Sequence, residues 1–397
     1  MDEKISPPIM ESPPGAETTI DGRRYLYFGG TSYLGLAGRE EVIEAACDAA
    51  RKYGIHSATT RGGFGTNPAT RAVERLAAEF FAAEEAFYFA SGYVGNHILI
   101  QALAGRFDIV LADELSHPCL LEAAKLSNKP IACFRHRDAN DFAERIQRCT
   151  SGNQRPLAMT DGIFAVRGEI APLDDYFAIV QKCETATLLI DDAHGFGTLG
   201  ENGWGTLEYC ISRSQAPPGN ALPARLRLAN VRANADANNE GPGVFVGGTL
   251  SKALGGYGGI LASSAAFIEL AKKASHYFDG ASAPPSPVAG ASAKALEIVL
   301  QEPQLRKRLQ ANVAHLRRGL KEIGLPVEET PSPIIGLRVG DAENMRRIHR
   351  ELKAVGILLP YSTYSGAGKE GILRIAVFAT HTAEMLDRLI GELRRIA

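Results

Sequence analysis

The sequence predicts an α/β protein built on a largely parallel central sheet with helices on both faces. Three observations carry this reading. Short apolar runs recur along the chain, at 86–89, 109–112, 157–160, 188–190, 244–246 and 259–262, and several end in an acidic residue: Asp113, Asp161 and Asp191. Segments with helical spacing of apolar residues lie between them, which is the rhythm of strand–helix–strand crossovers. Forty-one glycines and 21 prolines supply the tight turns such alternation needs.

Taken in order, residues 1–20 are polar and proline-containing and are expected to form a mobile arm. Tyr25-Leu26-Tyr27-Phe28 is a strand candidate, broken by Gly29-Gly30. A helix is expected over 40–53, with Val42, Ile43, Ala46 and Ala50 on one face and Gly54 as its stop. Asn67-Pro68 reads as an N-cap followed by proline at the first helical position, and the stripe Val73, Leu76, Ala77, Phe80 and Phe81 continues that helix. The run 86–89 leads through Ser91-Gly92 into a helix containing 98–103. Residues 211–243, with Pro217, Pro218, Pro223, Pro242 and several asparagines, break the rhythm and read as an inserted surface loop. From about 286 a helix over 287–300 leads into a smaller α+β unit that ends in a helix over 382–396. The expected division is an N-terminal arm and strand (1–44), a large domain (45–285) and a small C-terminal domain (286–397).

Bulk properties narrow the function classes. The 397 residues are 45% hydrophobic and 22% charged, ordinary values for a globular protein. A net charge of −2 without a long basic run argues against nucleic acid or an anionic membrane as partner. No stretch approaches the ~18 apolar residues of a membrane span, and residues 1–20 hold no apolar signal core. The six cysteines show neither CxxC pairing nor metal-ligand spacing, so reduced thiols in a cytoplasmic protein are expected, with no metal site.

Chemistry concentrates at the ends of the apolar runs, where open α/β sheets place ligands. Lys252 lies in Gly247-Gly248-Thr249-Leu250-Ser251-Lys252-Ala253-Leu254-Gly255-Gly256, directly after a buried-type strand. Alone it would be an ordinary surface lysine. Small neighbours let a planar ring approach it, and Thr249 and Ser251 can donate to a phosphate. Asp191-Asp192-Ala193-His194-Gly195 follows another such strand. Together the two motifs look like the halves of a pyridoxal 5'-phosphate site: Lys252 holds the cofactor aldehyde as a Schiff base, and Asp191 pairs with the pyridinium nitrogen. Asp191 could instead be a helix N-cap, a role its neighbour Asp192 can also fill. His194, three residues on, could reach the cofactor's phenolic oxygen. Ser91-Gly92-Tyr93 stands at a helix start, where free N–H groups bind phosphate, though a plain cap is the simpler reading. His117 could stack on an aromatic cofactor or be a satisfied loop histidine. Arg374, inside the apolar run Ile372-Leu373-Arg374-Ile375, needs a partner, either a substrate carboxylate or a structural acid.

The ordered set Ser32-Tyr33-Leu34-Gly35-Leu36, Arg61 to Thr66, Ser91-Gly92-Tyr93, Asp113-Glu114-Leu115-Ser116-His117, Thr160-Asp161-Gly162-Ile163-Phe164, the Asp191 and Lys252 motifs and Leu373-Arg374-Ile375 resembles the α-oxoamine synthase family of fold-type I pyridoxal-phosphate enzymes. The resemblance covers nearly the whole chain. It implies Lys252 as Schiff-base lysine and base, Asp191 on the ring nitrogen, His194 on the phenolic oxygen and His117 stacked on the ring. It further implies Gly92, Tyr93 and Thr249 on the phosphate, Arg374 on the amino-acid carboxylate, and homodimers with active sites at the subunit interface. The chain departs from the family at several points. Thr31 stands where asparagine is usual near the substrate carboxylate, Pro118-Cys119 replaces Ala-Ser, and Ala165 replaces a serine. Gly280-Ala281-Ser282-Ala283-Pro284-Pro285 replaces a Ser/Thr-rich turn, His56 and Ala58-Thr59 interrupt a Gly-rich stretch, and the 211–243 insertion lengthens the spacing from Asp191 to Lys252. The implied activity is condensation of a small amino acid (glycine, alanine or serine) with acyl-CoA or another acyl thioester, with loss of CO2. An aminotransferase or another pyridoxal-phosphate activity on the same scaffold is the alternative. A regulator or scaffold would carry an extra domain, and none is visible.

Overall fold

The computed structural model describes residues 7–213 and 243–397. The N-terminal residues are more ordered than their composition suggests. Strand β1 (Glu17–Ile20) pairs antiparallel with β2 (Arg23–Tyr27), and Met10 bridges to Ile20. Asp21 and Gly22, both at positive φ (49° and 71°), form the two-residue turn that matches strand twist. The expectation of an arm over residues 1–20 is therefore corrected from residue 10 onward. Thr18 and Ile20 alternate inward, and that burial holds the segment down.

Helix α1 (Glu40–Tyr53) ends at Gly54 with φ 72°, and α2 (Pro68–Phe80) starts at Asn67, whose side chain accepts from the Thr70 N–H. A boundary at 44/45 would fall inside α1. The large unit continues through β3 (Glu85–Phe89), α3 (Gly95–Ala102), β4 (Ile109–Asp113), α4 (Pro118–Leu126), β5 (Ile131–Phe134) and α5 (Ala139–Ser151). Then come β6 (Pro156–Asp161), α6 (Leu173–Gln181), β7 (Thr187–Asp191), α7 (Thr206–Arg213), β8 (Gly243–Thr249), β9 (Gly259–Ser263) and α8 (Ala265–Ala274). Ile211–Arg213 close a helix and Gly243 opens a strand, so the loop expected over 211–243 is shorter at both ends; its remainder lies outside the described residues.

Seven strands form one sheet in the order β3-β9-β8-β7-β6-β4-β5. The five from β8 to β5 run parallel, and β9 is antiparallel to both its neighbours. Every residue of β6 and β7 is buried, as strands covered on both faces require.

The C-terminal part holds α9 (Ser286–Gln301), α10 (Gln304–Glu322), β10 (Ile334–Leu337), α11 (Ala342–Ala354), β11 (Ile357–Leu358), β12 (Tyr361–Ser362), β13 (Ile372–Ala376) and α12 (Ala383–Ile396). Strands β10, β13 and β12 form a small antiparallel sheet, while β11 joins β2 in parallel, so the N-terminal hairpin extends the C-terminal unit. Helix α9 packs on α1 and α2. One continuous apolar core runs through both parts, from Phe28 and Tyr33 to Leu316 and Phe378.

Arg61 belongs to this framework. Its guanidinium, 5% exposed, grips Glu74 with two bonds of 2.6 and 2.9 Å and donates to the Tyr88 carbonyl at 2.9 Å. Such a buried fork fixes the loop before α2 against β3.

Candidate active site

The C-terminal ends of four adjacent parallel strands deliver Asp113, Asp161, Asp191 and Thr249 to one edge of the sheet. Asp161 and Asp191 are in register on neighbouring strands, so their side chains share a face. A cavity of about 350 Å³ opens there, lined by Thr31, Ser91, Gly92, Tyr93, His117, Cys119, Asp161, Asp191, Ala193, His194, Thr249, Ser251 and Lys252. Nine of the ten site residues expected from sequence meet in this one space. The tenth, Arg374, stands beside it.

Asp191 is 8% exposed and accepts from the Asn96 amide at 2.7 Å and the Ala193 N–H at 3.0 Å. Its neighbour Asp192 turns the other way and accepts from the Thr206 N–H and hydroxyl at the start of α7; no helix begins directly after either aspartate, so neither is the local N-cap that sequence allowed. Burial raises Asp192 to about 7, against those two hydrogen bonds.

Lys252 Nζ lies 2.8 Å from His194 Nε2. Burial lowers the Lys252 ammonium from its ordinary range, while Asp191 and Asp161 pull the other way. Burial, then the charges of Lys252, Arg374 and His117, holds His194 well below the usual histidine range, so the imidazole is neutral. Its tautomer follows from the next contact. Tyr33 is fully buried, with its hydroxyl 2.8 Å from His194 Nδ1 and 3.4 Å from an Arg374 Nη2 that can only donate. The Tyr33 proton therefore goes to Nδ1, and Nε2–H points at the cavity. Burial pushes Tyr33 up to about 12, so it keeps that proton. Removing the hydroxyl in Tyr33→Phe leaves a buried nitrogen unpaired, a cost of about 1–3 kcal/mol. The expected outcome is a shifted pH midpoint of the bound cofactor's visible spectrum. An unchanged titration would mean that Tyr33 only packs.

His117 caps α4, its Nδ1 accepting from the Cys119 N–H, and its Nε2 lies 3.2 Å from the Tyr364 hydroxyl. Its own N–H donates to Asp161 at 2.8 Å. Burial, then repulsion from Asp191, holds the Asp161 carboxyl well above the usual range. Arg374 donates to the Ala165 carbonyl at 2.7 Å and the Gly30 carbonyl at 3.1 Å. No acidic side chain pairs with it among the described residues. The guanidinium is held instead by neutral oxygens, of Ala165, Gly30 and Tyr33.

These residues fit pyridoxal phosphate. Asp191 stands on the cavity wall with one carboxylate oxygen held by Asn96, and Lys252 faces the same space. At the phosphate end a Cβ on Gly92 would come within 2.7 Å of Thr249, so only glycine lets that turn lie against the strand end. The Thr249 hydroxyl already donates to the Gly258 carbonyl at 2.7 Å and would have to rotate to reach a phosphate.

Four contributors were not among the site residues expected from sequence: Tyr33, Asn96, Asp161 and Tyr364. Tyr33 and Asp161 lie inside motifs that were legible, so position after a strand was the available signal. Asn96 and Tyr364 reach the site only through tertiary packing.

Below the site, His136 bridges Asp113 at 2.8 Å and Glu169 at 2.9 Å. Burial alone would lower it, but these two carboxylates outweigh burial and raise it to about 9. Its folded value exceeds the unfolded one, so the stability it contributes is complete below pH 6.5 and lost as pH rises through about 9. His136→Gln is expected to lower Tm at about pH 6 and to converge on the parent by about pH 10. Parallel melting curves at all pH values would contradict the bridge.

Fold and site together define a pyridoxal-phosphate-dependent transferase of fold type I. The model of the family "Aminotransferase class I and II" matches residues 25–393. The chain is 33% identical over 393 residues to an 8-amino-7-oxononanoate synthase of Nitrosococcus oceani, covering 98% of this chain and 96% of that one. It is 34% identical over 392 residues to the synthase of that name from Stutzerimonas stutzeri, covering 97% and 91%. Among solved structures, a Sphingomonas wittichii serine palmitoyltransferase superposes with a TM-score of 0.85 at 26% identity, covering 98% and 92%. The chain belongs to the class I and II aminotransferase family, on its α-oxoamine synthase branch.

Proposed function

We propose that this protein joins a small α-amino acid to an acyl thioester, with loss of CO2, to give an α-amino ketone. The observation that carries this reading is the pairing of Lys252, lowered toward its neutral amine by burial, with a neighbouring arginine, Arg374, that has no acidic partner among the described residues. Pyridoxal phosphate, when bound, supplies an aldehyde for the substrate amine and a ring that spreads the electron pair left at Cα. Asp191 would keep the ring nitrogen protonated. Lys252 would take the Cα proton, and His194 Nε2–H would hold the phenolic oxygen. Arg374 takes the carboxylate, with Thr31 at its side of the cavity, and His117 covers the ring face. Ser91, Gly92, Tyr93 and Thr249 hold the phosphate. The relatives' product name, 8-amino-7-oxononanoate, describes an amino ketone that retains the methyl of alanine, which supports alanine as the amino acid. The acyl donor is acyl-CoA in this reading.

A homodimer is part of the proposal. Phe64 is 98% exposed, and Ile55 and Tyr257 are also bare, a set of apolar side chains that a second copy would cover. All six cysteines are free thiols, which suits the cytoplasm. No described helix is long and apolar enough to cross a membrane.

Glycine, alanine and serine, each offered with acyl-CoA donors of increasing chain length, should release free thiol only when both partners are present. No thiol from any pair refutes the reading. Arg374→Lys keeps the charge but loses the planar fork. It is expected to raise the amino-acid Kd at least about tenfold, the scale of one charge-assisted hydrogen bond, with cofactor binding nearly unaffected. An amine lacking the carboxylate should bind both proteins alike. Unchanged amino-acid affinity would make Arg374 structural.

A further inference from the structure

A second cavity, of about 240 Å³, opens on the same face of the small sheet as Arg374. Gly336 of β10 lies directly opposite Arg374 of β13. Side chains two residues apart on a strand share a face, so Arg338 and Ile372 continue the face of Arg374, and both line the cavity. Arg167 and Arg317 complete its basic wall. Arg317 is 6% exposed and donates to the carbonyls of Glu328, Ser332 and Ile334, but its Nε has no partner among the described residues. The Thr330 hydroxyl, on the same lining, has none either. Neither Arg317 nor Arg338 meets a carboxylate within ion-pair distance among the described residues; Arg338 donates to the Ala367 carbonyl. Of the two acids in the lining, Glu328 pairs with Arg137 at 2.9 Å, and Glu169 meets His136 at 2.9 Å, Arg137 at 3.8 Å and Arg167 of the wall itself at 3.7 Å, which leaves Arg317 and Arg338 without an ion pair among the described residues.

A guanidinium withdrawn from water without a counter-charge is costly, and so are unpaired polar atoms beside it. An anion would satisfy both, and the arginine fork matches the planar oxygens of carboxylate and phosphate. The cavity is also close to the chemistry. Arg374 donates to the Ala165 carbonyl at 2.7 Å, and Arg167 is two residues further on, within about 7 Å of Ala165 along the chain. A narrow space between the two cavities is lined by His117 and Asp161 toward Lys252 and by Arg167 and Glu169 toward the arginine wall.

We propose that the cavity walled by Arg167, Arg317 and Arg338 binds the anionic end of the acyl donor, either a carboxylate at the far end of its chain or the phosphates of its CoA carrier. The proposal rests on the acyl-transfer reading above, and the experiment separates the two. Three donors are compared on the holoenzyme: an unsubstituted acyl-CoA, an ω-carboxyacyl-CoA of equal length, and the same ω-carboxyacyl group on N-acetylcysteamine, which has no phosphate. Arg338→Ala and the charge reversal Arg338→Glu are expected to raise the donor KM by at least about tenfold, more for the reversal, with a smaller change in kcat and none in the amino-acid KM. A rise confined to the two carboxylated donors places the chain end in the cavity. A rise confined to the two CoA donors places the phosphates there. Unchanged KM for all three overturns the proposal. Calorimetric binding of free CoA and of a free straight-chain dicarboxylate to wild type and Arg338→Ala needs no turnover. Equal binding by both proteins, or none, also overturns it. Binding that weakens in the variant, in an enzyme that releases no thiol, would sink the acyl-transfer reading and leave the site standing.

Discussion

Lys252→Ala is expected to abolish borohydride trapping of pyridoxal phosphate on the chain and to lower turnover by at least 10²–10⁴, the range for loss of a positioned general base. The substitution removes the amine that captures the cofactor and the base that moves the Cα proton. The fold should survive, since Lys252 stands at a cavity edge and its one side-chain hydrogen-bond partner among the described residues is His194. His194 then keeps Tyr33 on Nδ1 and can meet water on Nε2. Peptide mapping of the trapped wild-type protein checks the assignment. A labelled peptide containing another lysine would overturn the site.

Asp191→Asn is the second large effect. The asparagine has the same shape and can still meet Asn96 and the Ala193 N–H after its amide turns. It carries no charge, however, and cannot hold a ring nitrogen protonated. Each ~1.4 kcal/mol lost from the developing negative charge at Cα costs tenfold in rate, so exchange of the Cα hydrogen with solvent should slow by orders of magnitude. Asp161 does not rescue it. That carboxyl is on the neighbouring strand and is held above the usual range by burial and by Asp191 itself. Cofactor content should fall far less than exchange. Unchanged exchange would show that Asp191 is not the partner of the ring nitrogen.

The parts of this molecule that were legible in the sequence share a physical cause. Strands buried on both faces must be almost wholly apolar, so β6 and β7 stand out as runs, and the first residue that meets the ligand edge is polar. Asp161 and Asp191 mark those edges without any knowledge of the fold. The start of α2 was legible because Asn67-Pro68 solves a local problem, the orphan N–H groups of a helix end. The β1–β2 hairpin was missed because residues 1–20 were judged by composition. The signal was present in Asp21-Gly22, the residue pair such a turn prefers. The hydrogen-bond chain from Arg374 through Tyr33 to His194 spans more than 300 residues of sequence, and no local pattern encodes it. Likewise the arginine wall combines Arg167 from the large unit with Arg317 and Arg338 from the small one, and only packing brings them together.

The central claim is that carbon–carbon bond formation and decarboxylation occur together at Lys252. Alanine labelled in its carboxyl carbon, supplied with an acyl-CoA donor that supports thiol release, tests it directly. The account predicts labelled CO2 and free thiol in equal amounts, neither without the other substrate, and both lost in Lys252→Ala. Transfer of the amino group to a 2-oxo acid with the label retained, and no thiol released, would contradict it.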